Sequence, residues 1–91
     1  MSYSVYQQMS YGGMKFLGGL AAGETVYGKF IGIHVWKFGE NIVFTLEREF
    51  NGYPVGTVAS VPYTADMSDI SALQAGQHFR MSGDGEVEYD L

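Results

Sequence analysis

Seven residues within a span of twelve carry most of the chemistry this chain can offer. They are Tyr27, Lys29, Phe30, His34, Trp36, Lys37 and Phe38. Rings and cations interleaved along one segment suit a single-stranded nucleic acid. Bases stack on the rings, at about 1–3 kcal/mol each, while the cations track the phosphate backbone. Arg48 and Arg80 are further cations available for that task. The candidate nucleic-acid-binding set is therefore Phe30, His34, Trp36, Phe38, Lys29, Lys37, Arg48 and Arg80. Aromatic enrichment is equally the mark of protein interfaces. A protein-interaction or assembly module using the same face is the alternative reading.

Other chemistries find little support. With no cysteine, a metal site would need both histidines, His34 and His78, plus a carboxylate at tetrahedral distance, and nothing in the spacing arranges that. Glu47 and Glu49 share one side of a strand, yet exposed glutamates are the rule. No Gly-x-Ser-x-Gly elbow occurs, and the pairs Gly12-Gly13 and Gly18-Gly19 lack the lysine and the strand-to-helix context of a phosphate loop. The sequence therefore predicts no enzyme, no metal and no cofactor.

Composition sets the frame for these residues. Of 91 residues, 46% are apolar and 16% charged, which is too hydrophobic for a wholly disordered chain. No apolar run approaches the ~18 residues of a membrane helix. Met1 to Met9 lacks the basic start and apolar stretch of a signal peptide, and no cysteine asks for an oxidising compartment. The expectation is a cytoplasmic protein, in the host cell if viral, with no membrane partner. The net charge is −5, but four of the ten acids, Asp84, Glu86, Glu88 and Asp90, lie at the end. The body is nearly balanced, so the usual electrostatic objection to nucleic acid weakens.

The elements that position the aromatics read as strands. Thr25–Phe38 is β-branched and aromatic, with Gly39-Glu40 as a two-residue turn. Asn41–Phe50 alternates, and Asn51-Gly52 is a strong type I′ hairpin signal before Tyr53–Val61. The second turn sets Phe50 opposite Tyr53, Phe44 opposite Ala59 and Ile42 opposite Val61. The first sets Phe38 opposite Asn41, Trp36 opposite Val43 and His34 opposite Thr45. One face then carries Ile31, Ile33, Val35, Ile42, Phe44, Leu46, Tyr53, Val55, Ala59 and Val61 as the core. The other carries Phe30, His34, Trp36, Phe38, Val43, Thr45, Val58 and Ser60. A one-residue slip would exchange the faces, and Gly28 or Gly32 could host the bulge that causes it.

After Pro62, Met67, Ile70 and Leu73 recur at three-residue spacing, with Thr64 or Asp66 as cap and Gly76 as stop, which predicts a short helix. Gln77–Ser82 and Glu86–Leu91 follow as strands around Gly83-Asp84-Gly85, although the last segment also reads as a free acidic tail. The fold class expected is all-β with one short helix: a five-stranded OB-like barrel over residues 24–91, helix between strands three and four. Residues 1–23 read as an N-terminal arm, flexible or docked on the domain, a second subunit or a ligand. Tyr3, Tyr6, Tyr11 and Phe16 give it much apolar area for a free tail.

The stretches VYGKFIGIHVW, NIVFTLEREFNG and VGTVASVPY, from Val26 to Tyr63, resemble small phage single-stranded-DNA-binding proteins of the gene V type. The resemblance implies an OB-fold homodimer with strand and loop aromatics on bases, which would correspond here to Trp36, Phe38 and Phe30. That family is more basic than this chain, and the N-terminal arm has no counterpart in it. The acidic end resembles the partner-recruiting tails of bacterial single-strand binders, without their Pro-Phe close. It implies a protein partner at the C-terminal end.

Overall fold

The computed structural model describes residues 14–36 and 39–89, with the side chain of Trp36 excepted. Lys37, Phe38, the arm tyrosines Tyr3, Tyr6 and Tyr11, and Asp90-Leu91 lie outside the described residues. Six strands form: β1 (Lys15–Phe16), β2 (Thr25–Trp36), β3 (Gly39–Leu46), β4 (Val58–Pro62), β5 (His78–Ser82) and β6 (Val87–Tyr89). They make one sheet in the order β1-β4-β3-β2-β5-β6. Among the described residues only the β1–β4 pair is parallel. The described residues are thus all-β, as expected, but the sheet is open, with β1 and β6 as its edges, rather than a closed five-stranded barrel.

The long strand β2 is the shared member of two antiparallel ladders. It pairs with β3 over Gly28–Trp36 and with β5 over Thr25–Lys29. The β3–β4 register is the one that the Asn51-Gly52 turn dictates. Ile42 faces Val61, Phe44 faces Ala59, and Phe50 exchanges both backbone hydrogen bonds with Tyr53. Asn51 and Gly52 both have positive φ, 49° and 85°, as a type I′ turn requires. The third strand is shorter than expected. Thr57 N–H donates to the Pro54 carbonyl in a tight turn with Gly56 at φ 93°, and this lifts Val55 out of the core to 64% exposure.

The β2–β3 register differs from the sequence expectation. Trp36 pairs with Gly39 and His34 with Asn41, so Gly39-Glu40 belongs to the β2–β3 ladder rather than to the turn. A bulge between Phe30 and Gly32 then moves the pairing by one residue. Phe30 therefore points into the core rather than away from it. Ile33 still packs against the core, whereas Val35, beside Glu40 near the strand end, is 67% exposed. The final segment is a strand over Val87–Tyr89, turning at Gly83–Gly85 as expected.

No helix forms among the described residues. Thr64–Met67, Ile70–Leu73 and Gln74–Gln77 are instead separate turns, each closed by a backbone hydrogen bond three residues apart. A helix this short is marginal on its own, and its donors have better partners. Ser68 N–H donates to the Gly85 carbonyl and Gly76 N–H to the Phe30 carbonyl. The Asp69 carboxylate takes the Ser71 N–H. The apolar spacing still serves burial, because Ile70 and Leu73 join the core and Met67 packs against it.

The core is built on three rings. Phe79 meets Phe44 edge-on at 5.3 Å and Phe30 edge-on at 6.3 Å. Gly28 makes room for this cluster, since a Cβ there would sit 2.6 Å from the Phe44 ring. Part of the N-terminal segment docks on the fold itself. Lys15 and Phe16 pair with Ala59 and Ser60, and Leu17 and Leu20 pack against the core. Gly83 accepts the chain there. Its N–H donates to the Glu24 carbonyl, and a Cβ would strike the Ala21 carbonyl oxygen.

Candidate functional site

Alternation along β2 puts Val26, Gly28 and Phe30 inward, so Thr25, Tyr27 and Lys29 face water. On β5 the same rule turns Phe79 and Met81 inward and His78, Arg80 and Ser82 outward. The register sets Thr25 beside Ser82, Tyr27 beside Arg80 and Lys29 beside His78. Arg48, just past the end of β3, lays its guanidinium carbon 3.8 Å from the Tyr27 ring centroid, within cation–π range. A groove of about 190 Å³ runs alongside, lined by Thr25, Tyr27, Arg80, Ser82, Glu86 and Glu88.

This platform holds carboxylates as well as cations. Arg80 Nε donates to Glu88 Oε1 at 2.6 Å. The hydrogen bond to Glu88, then that to Tyr27, raises the Arg80 pKa above its ordinary value, so the guanidinium stays charged. Glu47 Oε1 lies 2.6 Å from His78 Nδ1. Both pairs are solvent-exposed, where ion pairs contribute little to stability. Glu88 tethers the Arg80 guanidinium, which an anionic ligand would have to win from it.

The structure puts three of the sequence candidates on one face, Arg48 over the Tyr27 ring, Arg80 paired beside Tyr27 and Lys29 two residues along the strand. It separates the others. Phe30 is 6% exposed and belongs to the core cluster. His34 is buried on the side shared with Val43 and Ser60, and its burial lowers the imidazole pKa below 6.5. Lys37, Phe38 and the Trp36 side chain lie outside the described residues. Tyr27, part of the aromatic cluster in the sequence but outside the candidate set, is the ring at the centre of the platform. Its signal was a parity shared with Lys29 and opposite to Phe30.

No protein-family model matches the chain, and neither a curated protein nor a solved structure matches it. Among the described residues no group of three or more His, Asp or Glu could hold a metal ion, and no helix is long and apolar enough to cross a membrane.

Proposed function

We propose that this protein binds single-stranded nucleic acid, DNA in the first instance, with low sequence specificity on the Tyr27 platform. The observation that carries the reading is three cations on one face: Arg48 stacked on the Tyr27 ring, Arg80 paired beside Tyr27, and Lys29 two residues along the strand. That is three of the five Lys and Arg in the whole sequence. A base would stack on Tyr27 or on the Arg48 guanidinium above it, with phosphates on Lys29 and Arg80. The ladder supports an OB-like reading of the fold, since a three-strand meander and a C-terminal hairpin share β2. A gene V-like homodimer is part of the same proposal.

The test is fluorescence anisotropy of a labelled thymidine oligomer against salt. Three engaged cations give a slope of log K on log salt of roughly −2. Tyr27→Ala should weaken binding by roughly five- to a hundred-fold. Glu88→Gln should strengthen it severalfold by releasing Arg80. No binding at low salt, or binding indifferent to both substitutions, would sink the proposal.

An assembly module is the second reading, favoured by Phe16, which is 62% exposed on the edge strand β1. It predicts a light-scattering mass that falls on Phe16→Ser, with no oligonucleotide affinity.

A further inference from the structure

A second concavity shares no residue with the platform. It lies between the β2–β3 ladder and the turns over residues 63–77, and has a volume of about 390 Å³. Phe30, Ile33, Tyr63, Ile70 and Leu73 give it an apolar lining. Among the described residues Glu40 and Asp69 supply its charges, and neither Lys nor Arg lines it. The size falls within the range of small-molecule sites, and an apolar bed with a few polar groups is their usual make-up.

The positions of both carboxylates follow from the backbone. Glu40 pairs with Val35 near the end of the β2–β3 ladder, and its carbonyl accepts the Tyr63 N–H, which ties the loop entry to the strand. Asp69 Oδ1 accepts the Ser71 N–H at 2.9 Å. That hydrogen bond holds Asp69 below the ordinary carboxylate range, so it is ionised at neutral pH. Two negative charges beside an apolar bed repel phosphates and carboxylates. They leave a neutral apolar guest with nothing to set its orientation. A guest with a compact apolar group and one cation satisfies both halves of the lining.

We infer that this groove binds an arylalkyl ammonium ligand, the ring over half-buried Ile33 and Tyr63 at the edge of the core and the ammonium beside exposed Glu40 and Asp69. The site is independent of the nucleic-acid platform and of its fate under test.

Three isosteric probes examine it: phenethylammonium, 2-phenylethanol and phenylacetate. Each is titrated into the whole protein while the methyl resonances of Ile33, Ile70 and Leu73 are followed by NMR. Phenethylammonium should bind about tenfold or more tightly than the alcohol, and phenylacetate should bind least. Raised salt should narrow the gap. Glu40→Gln, at an exposed position, should remove part of the preference. Adding Asp69→Asn, which keeps an oxygen for the Ser71 N–H, should remove the rest. Equal binding of ammonium and alcohol by the parent protein would overturn the inference. So would the absence of methyl shifts with every probe, or a preference that survives both substitutions.

Discussion

Phe30 is where two accounts of the aromatic segment part. A stacking residue should be dispensable for the fold, and a core residue should not. The ring is 6% exposed, meets Phe79 edge-on and faces Phe44 across the ladder. Phe30→Ala should therefore cost about 3–5 kcal/mol through lost transfer energy and a residual cavity. Against a total of about 5–15 kcal/mol for a domain, that is a large fraction. Phe30→Leu keeps most of the volume and loses the edge-on ring contact, about 0.5–1.5 kcal/mol beyond area. Urea unfolding followed by circular dichroism reads both. With m about 1.5 kcal/mol/M, the alanine variant should move the midpoint down by roughly 2–3 M, and the leucine variant by under about 1 M. The reasoning fails if both variants keep the parent midpoint while oligonucleotide affinity drops.

Gly28→Ala places a methyl 2.6 Å from a ring carbon of fully buried Phe44 and 3.1 Å from the Thr45 carbonyl oxygen. Overpacking of that kind should cost about 1–3 kcal/mol, read as a lower melting temperature in calorimetry. Ser60 Oγ is buried with no hydrogen-bond partner, so Ser60→Ala should leave stability unchanged or raise it by about 1 kcal/mol, measured by the same melts. The lowered pKa of His34 has a definite sign: the unfolded chain binds the proton more readily, so stability is full above about pH 6.5 and falls as pH drops toward the folded pKa. His34→Gln should flatten that slope in urea titrations between pH 7 and 5. The carboxylates of Asp66, Asp69 and Asp84, held below 3.8 chiefly by turn hydrogen bonds, act in a separate, more acid window.

The β3–β4 hairpin was legible because Asn51-Gly52 tolerates the positive φ that a type I′ turn needs at both positions, and the pairs from Thr45–Val58 onward follow from that turn by counting. The C-terminal hairpin was legible from Gly83-Asp84-Gly85 and the alternation after it. The first hairpin was not. Gly39 does have positive φ, at 121°, but it lies inside β3, opposite Trp36, rather than in the turn. The helix was misread because three-residue apolar spacing also fits successive turns, and only the tertiary partners of Ser68 and Gly76 separate the two. In the site, the cations Lys29, Arg48 and Arg80 were singled out by type. Arg80 comes beside Tyr27 through the β2–β5 register, which no local turn encodes, and Arg48 through the β2–β3 pairing.

The extra residue between Phe30 and Gly32 has a bearing on how this chain can tolerate change. A strand is read two residues at a time, and the bulge works like a shift of reading frame within it. Before it, even-numbered positions of β2 face inward, as with Val26, Gly28 and Phe30. After it, the odd-numbered Ile33 does. Removing Ile31 would erase the bulge and leave Phe30 and Ile33 two positions apart in one frame, both still facing inward. Elsewhere in the strand a change of one residue inverts everything on one side of the lesion, whereas a change of two keeps the phase. A library of single-residue deletions along β2 should therefore yield soluble protein chiefly where the deletion falls at the bulge.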